Sequence, residues 1–357
     1  MTWLIPWRTI RCPFCFNEVS LGACEIVSSH VDREVLMRHP TGGWRRLLSH
    51  VWVSPITGDR SVRELATWRC PSCGDLLPAN SDRAEMVVIG LIGGASSGKS
   101  HYLAALIHRL LQGDDLRGVG CYQIAPLNQD MVDRYDSNYF RYLFDDHVPI
   151  PATAPIGPDQ TNRPLIYTLF FRGTRSGRHA REVNLVIYDG SGEQMVIQQE
   201  LVRFHPYILH SSGLILMLDP LGLPDVTANL PRFLRTTTVD AYAPVHLLQS
   251  HLTFYRQQQG MSPTQKIDIP LAVTLSKSDL LRYVPLTLTV PTILRRDSSY
   301  ATGLDLAETR SSSELVQGIL RRTGGSDLLG LTPQFQHVSY HAVSATGGPA
   351  TSANGTY

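Results

Sequence analysis

Apolar residues in this chain gather into short continuous runs, separated by polar stretches and by segments with helical spacing. Six runs read as strands, at residues 86–92, 164–171, 183–188, 213–218, 271–275 and 338–343. Residues 101–111 carry apolar positions at helical intervals and stop before Gly113, and 195–209 and 245–259 are further predicted helices. Runs of this kind alternating with helices predict an α/β fold with a mostly parallel sheet and helices on both faces. One long segment breaks the alternation. "HVPIPATAPIGPDQTNRP", residues 147–164, holds five prolines and is predicted to be an extended loop leading into the second strand.

The first 80 residues have a different character. All five tryptophans (Trp3, Trp7, Trp44, Trp52 and Trp68) fall there, with two C-P-x-C pairs, "CPFC" and "CPSC". The expected division is a four-cysteine, zinc-ribbon-like module over 1–80 and an α/β domain over 85–357, joined by the polar connector "ANSDRAE". Two C-x-x-C turns can place Cys12, Cys15, Cys70 and Cys73 tetrahedrally about Zn²⁺. The gap between the pairs exceeds that of a compact ribbon, so an insertion bearing Trp44 and Trp52 is expected to protrude from it. Cys24 could replace one ligand but reads rather as a core cysteine, Cys121 reads as inert, and His30, His39 and His50 are poorly spaced for a second site. Redox-active or merely buried thiols are the alternatives for the four clustered cysteines.

Composition narrows the partners. With 43% hydrophobic and 18% charged residues the chain can bury a substantial core, and its net charge of +1 offers no global attraction to nucleic acid or an anionic membrane. Arg45 and Arg46 beside Trp44 could bind a nucleotide strand, but nine arginines face seven acidic residues in the first 80. Docking to a protein is the favoured use of the module. No apolar run reaches the ~20 residues of a membrane helix. The start lacks a basic segment and long apolar core, so a cytoplasmic protein without a signal peptide is expected. Paired cysteines of this kind fit that compartment as metal ligands.

The chemistry concentrates in "VVIGLIGGASSGKSHYL", residues 87–103. Only three lysines occur in the chain, Lys99, Lys266 and Lys277, and one of them is here. Gly93 followed by Gly98-Lys99-Ser100 fits G-x-x-x-x-G-K-[ST] between a strand and a helix. Glycines let successive N–H groups turn into one concavity, and the helix start adds its own unpaired donors. Lys99 would reach the β- and γ-phosphates and the Ser100 hydroxyl would ligate Mg²⁺. The expected nucleotide-contacting run is Gly93, Gly94, Ala95, Ser96, Ser97, Gly98, Lys99, Ser100 and His101.

Three further motifs follow in order. Asp189 closes an apolar run and opens D-x-x-G with Gly192, a carboxylate placed to hold Mg²⁺ and an N–H for a γ-phosphate. In "PLAVTLSKSDLL", Ser276-Lys277-Ser278-Asp279 ends a strand, and Asp279 can accept from two guanine nitrogens while the Lys277 stem packs on the base. In "YHAVSATGG", Ser344-Ala345 can contact the guanine oxygen.

The ordered set GGASSGKS, DGSG, SKSD and VSA resembles the Ras-like, translation-factor-related P-loop GTPases over roughly residues 85–348. The cysteine module and "GKSHYLAALIHRLL" further resemble bacterial double-GTPase proteins of conflict systems. The resemblance implies a GTP-hydrolysing switch that uses GTP, Mg²⁺ and Zn²⁺. It also implies a protein partner, such as another defence component, with no membrane and nucleic acid disfavoured. Catalytic expectations fall on Lys99, Asp189, Glu193, Gln194 and a loop threonine. Thr153 and Thr161 both qualify for the last, and Thr161 is favoured because two residues separate it from the strand. The chain departs from the family pattern in three places. Ser276 stands where Asn or Thr is usual, Glu193 stands where many relatives carry glutamine, and Tyr357 leaves no room for a last helix. A GTP-binding scaffold without turnover and a ribbon ATPase acting on nucleic acid are the rival readings.

Overall fold

A computed structural model of the chain describes residues 9–30, 33–37, 66–113, 116, 119–153, 163–173, 181–190, 201, 205–234, 243–284 and 306–348. Six short strands come first: β1 (Thr9–Arg11), β2 (Glu18–Ser20), β3 (Glu25–His30), β4 (Arg33–Met37), β5 (Ala66–Arg69) and β6 (Leu76–Leu77). Strands β1 and β2 pair antiparallel, and the others form an antiparallel sheet of order β4-β3-β5-β6. Trp44 and Trp52, and the insertion assigned to them, lie outside the described residues, as do Arg45, Arg46, His39 and His50.

The α/β part follows, with strands β7 (Glu85–Ile92), β8 (Cys121–Pro126), β9 (Leu165–Phe171), β10 (Arg181–Asp189), β11 (Gly213–Leu218), β12 (Leu271–Leu275) and β13 (Val338–Ala342). They form one sheet of order β13-β12-β11-β7-β10-β9-β8. The ladders from β13 through to β10 are parallel, and β9 runs antiparallel to both neighbours. This mostly parallel sheet is the expected P-loop GTPase-like arrangement, and all six predicted strands lie in it.

Helices cover both faces. Helix α1 (Lys99–Gln112) buries Leu103 and Ile107 against Leu91, Leu165 and Ile187 on one face. It ends at Gly113, whose φ of +77° suits a residue without a Cβ. On the same side, α2 (Gln129–Tyr135) is capped by the Asn128 side chain, which accepts from Met131 N at 3.1 Å, and runs on into a π-helical stretch, Asp136–Asp145. After the short α3 (Pro224–Asn229), helix α4 (Ala243–Gln259) packs Leu247, Leu248 and Phe254 on the opposite face with Leu216 and Val273. Helix α5 (Leu306–Arg322) adds Val316, Ile319 and Leu320 to that core, and α6 (Ser326–Leu331) follows.

Several elements differ from the pattern-based expectation. Strand β8 and the α2 region had no counterpart, because Tyr122 and Gln123 are exposed on an edge strand and the apolar signal there is weak. Helix α5 also escaped it, since its apolar anchors occupy only its second half. Of the predicted helix 195–209, residues 206–210 form a 3-10 turn opening on Pro206, and most of the rest lies outside the described residues.

The connector is not a free tether. Asn80 is buried, its Nδ2 donates to Glu182 Oε2 at 2.7 Å, and its Oδ1 accepts from Asn184 at 2.9 Å. Arg83 pairs with the same glutamate at 2.8 Å. The polar composition that reads as a loop thus fastens the four-cysteine module to β10.

Candidate functional site

Strands β7, β10, β11, β12 and β13 end on one edge of the sheet, where a doubly wound fold places its ligand. The loop after β7 is shaped by two close approaches. A Cβ on Gly93 would stand 2.6 Å from Ser97 Oγ and 3.0 Å from Met217 O, so only glycine fits. Gly98 has φ +83°, which turns the chain into α1. The Ser97 hydroxyl closes the loop by donating to Gly94 O at 2.9 Å. Lys99 folds back across this cradle, its Nζ donating to Gly93 O at 2.8 Å and Gly94 O at 2.9 Å.

Burial pushes the Lys99 ammonium down to about 8, although Asp189 pulls the other way. Two opposite pH trends follow. An unfolded lysine holds its proton up to 10.5, so the nucleotide-free protein should gain stability as pH rises from about 8 towards that value. A phosphate ligand needs the charged form, so triphosphate affinity should fall over the same range, with proton uptake on binding. Calorimetry in buffers of different ionisation enthalpy reads that uptake; a binding constant flat from about pH 7.5 to about pH 9.5 would contradict it.

Asp189, half-buried at the end of β10, meets this loop directly. Its Oδ2 accepts from Ser100 Oγ at 2.9 Å and from Tyr139 OH at 3.3 Å, and Ser100 Oγ lies 3.0 Å from Thr153 Oγ1. Burial raises the Asp189 carboxyl, against the lowering influence of Lys99, Ser100, Tyr139 and Thr153. Its Oδ1 is buried and has no hydrogen-bond partner among the described residues. An orphaned carboxylate oxygen beside two hydroxyls is a hard oxygen donor set that suits Mg²⁺. The structure therefore brings Thr153 to Ser100. Thr161, the favoured alternative, lies outside the described residues, as do Gly192, Glu193 and Gln194. Tyr139 carried no signal in the sequence.

The residues assigned to the guanine base lie at the next two strand ends. Asp279 is 5% exposed and its Oδ1 accepts from Ser344 Oγ at 2.6 Å, which also receives Gly347 N at 2.9 Å; Ala345 follows on the same turn. Lys277 is held at φ +44° and pairs with Asp219 Oδ2 at 2.6 Å, which aligns its stem. Asp219 was missed, yet its signal was available: like Asp189, it closes a buried apolar strand. Ser276, the departure from the family pattern, donates its hydroxyl to Leu218 O at 2.8 Å and sits 3.6 Å from where a Gly98 Cβ would stand. A small side chain at 276 leaves the phosphate loop room. His101 Nε2 accepts from Ile150 N at 3.2 Å, docking the proline-rich loop on α1, and burial with the nearby Lys277 charge pushes its imidazole down to about 4.

The four predicted metal cysteines also converge. Cys12, Cys15, Cys70 and Cys73 bring their Sγ atoms within 4.8 Å of one another, with Cys12–Cys73 at 3.8 Å and Cys15–Cys70 at 3.9 Å. A tetrahedral Zn²⁺ with ~2.3 Å bonds requires sulfurs about 3.8 Å apart, so the set fits that ion. Burial pushes the Cys73 thiol up to about 12 and Cys12 higher still, while backbone hydrogen bonds at Cys73 and Ser72 lower Cys70 against its burial; a divalent cation would offset the burial by taking the four as thiolates. Cys24 stays outside the cluster, its Sγ 3.5 Å from Ser20 O, and Cys121 is buried beside β9.

No protein-family model matches the chain. Among curated proteins it is similar to the putative ESX-1 scaffolding and assembly protein SaeC of Mycolicibacterium smegmatis, with 27% identity over 248 residues, covering 68% of this chain. Among solved structures it is similar to the signal recognition particle receptor SRb-GTP/SRX complex of Chaetomium thermophilum (TM-score 0.32, 13% identity, 72% of this chain and 90% of that one). The Arl6 small GTPase of Trypanosoma brucei follows at TM-score 0.29 and 11% identity, over 74% of this chain and 89% of that one. The chain spans 60% of the length of the curated relative that it matches.

Proposed function

We propose that the protein is a GTP-binding and GTP-hydrolysing switch that acts on a protein partner. The observation that carries this reading is one convergence. Lys99, Ser100 and Asp189 meet at the phosphate loop, while Lys277, Asp279 and Ser344 meet at the neighbouring strand ends. A nucleoside triphosphate spans these two groups. Loop N–H groups and Lys99 would bind the phosphates and stabilise charge on them during in-line attack by water. Mg²⁺, when bound, neutralises the β- and γ-oxygens, and Ser100, Asp189 and a loop threonine, Thr153 or Thr161, are placed in this reading to hold it. Glu193 and Gln194 keep their sequence-based assignment as groups that orient water. Similarity to a protein named for scaffolding and assembly supports a protein as the partner. A place in bacterial defence rests on the sequence resemblance; among the described residues no helix is long and apolar enough to cross a membrane.

Base identity is tested at Asp279. Asparagine there replaces one acceptor by a donor, so two hydrogen bonds to the guanine N1–H and N2–H groups become one bond and one clash. Each loss of that kind costs about 1–3 kcal/mol, and GTP affinity should fall at least ~10-fold. Xanthine has a carbonyl where guanine has the amino group, so the variant should gain xanthosine triphosphate as it loses GTP. Ser344, donating to Asp279 Oδ1, holds the carboxylate in place. Affinities of GTP, xanthosine triphosphate and ATP are measured for both proteins. Tight ATP binding by the wild type, or equal GTP binding by the two, would remove the guanine assignment.

A further inference from the structure

The two cysteine turns share one backbone plan. Phe16 N donates to Cys12 O at 3.0 Å and Cys12 N to Asn17 O at 3.0 Å; Gly74 N donates to Cys70 O at 2.9 Å and Cys70 N to Asp75 O at 2.9 Å. The residue after the second cysteine is left-handed in both, Gly74 at φ +80° and Phe16 at φ +59°. Glycine suits that conformation and a bulky side chain does not. A phenylalanine held there against its backbone preference points to a use for its ring.

The ring is buried in the main sheet core. Phe16 is 6% exposed, stacks on His210 with centroids 4.8 Å apart, and lies 5.6 Å from the ring of Tyr188. Tyr188 in turn donates its hydroxyl to Pro13 O, inside the same cysteine turn, and stacks on Tyr207 at 4.5 Å. The next residue is Asp189. The second turn reaches the residues that lead into β9: Asp75 Oδ1 lies 3.1 Å from Arg163 Nη2. Arg134 of α2 donates to the carbonyls of Arg163 and Pro164 at 2.9 and 3.2 Å, so this point is clamped from both sides. Thr161 lies two residues upstream of it.

We infer that Phe16 and Asp75 are positioning residues of the nucleotide site, through which the four-cysteine centre and the nucleotide state are linked. The inference rests on the nucleotide reading above. The first turn holds the chain beside Asp189, and the second holds Arg163, two residues on from Thr161 in sequence. Opening a turn to release its metal requires Phe16 to leave Tyr188, and any ligand that fixes Asp189 resists that movement. Linkage is reciprocal, so metal loss must weaken triphosphate binding by the same factor by which triphosphate tightens metal binding at equilibrium.

The test uses the full chain carrying Zn²⁺, in the nucleotide-free, GDP–Mg²⁺ and non-hydrolysable GTP analogue–Mg²⁺ states. Zinc transfer to a chelating dye is followed at equilibrium, and nucleotide affinity is measured in parallel. Wild type should hold zinc about fivefold or more tightly in the triphosphate state. Phe16→Gly gives the first turn the residue its twin carries, so it should keep one zinc per chain yet hold it equally in all three states. Asp75→Asn should narrow the difference. Tyr188→Phe, lacking only the hydroxyl given to Pro13, should narrow it too and serves if the glycine variant fails to hold zinc. Equal zinc affinity in every wild-type state, with nucleotide bound normally, overturns the linkage. A difference that persists undiminished in Phe16→Gly or in Tyr188→Phe overturns the assigned route. A wild type that binds no nucleotide overturns the proposed function, and this inference with it.

Discussion

Lys99→Ala is expected to weaken triphosphate binding by two orders of magnitude or more while leaving zinc content unchanged. The side chain is 6% exposed and its ammonium caps the phosphate cradle from within, bonded to the carbonyls of Gly93 and Gly94. With a triphosphate in the cradle it would give charge-assisted hydrogen bonds to the β- and γ-oxygens, each worth about 1.5–3 kcal/mol. Losing two removes about 3 kcal/mol or more, roughly 150-fold in Kd. Loop shape should survive, because it is set by the left-handed Gly98 and by the Ser97 hydroxyl on Gly94 O. Alanine also suits the first turn of α1 and removes a buried charge, so the nucleotide-free variant should melt no earlier than wild type. Titration with a non-hydrolysable GTP analogue checks the binding term and calorimetry the stability. Near-wild-type affinity would sink the phosphate-loop assignment.

Cys70→Ser should lose the metal and, with it, the packing of the N-terminal module. Among the described residues Cys12, Cys24, Cys70 and Trp68 form a small core with Val19, Leu21 and Leu77, too few apolar side chains to hold these six short strands unaided. Metal analysis should give about one zinc per wild-type chain and none for the variant, with Trp fluorescence shifting towards that of exposed indole. Cys24→Ser separates the alternatives. Its thiol sits beside Ser20 O and outside the four-sulfur cluster, so that variant should keep its zinc. Full zinc in Cys70→Ser with loss in Cys24→Ser would reassign the fourth ligand. Chelation of the wild type should reproduce the Cys70→Ser phenotype, and zinc alone should reverse it.

Much of the site was legible in the residues alone. Strand ends carry the motifs, and motif spacing is local: Gly93 to Ser100 must form one loop, and Asp189 and Asp279 each close a buried run. Cysteine pairs likewise declare a shared ligand because four thiols separated by a long insertion have little other reason to come in C-x-x-C steps. Where the pattern failed, packing was the cause. An edge strand such as β8 buries one side only partly, and α5 anchors through its last turns alone, so neither leaves a full periodic trace.

By itself, then, the sequence determined six of the sheet's seven strands, the glycine-rich loop between β7 and α1 and the two cysteine pairs, since each depends on residue types within a few positions of one another. Tertiary structure alone decided which side chains from distant segments share a site. Thr153 was brought to Ser100 from 53 positions away, Asp219 to Lys277 from 58, Tyr139 to Asp189 from 50, and Tyr188 to Pro13 from 175. Such pairings are set by how strands order across the sheet and how the connector folds onto β10. A contact between far-separated residues needs only complementary chemistry at its two ends, and nothing in the intervening chain records it.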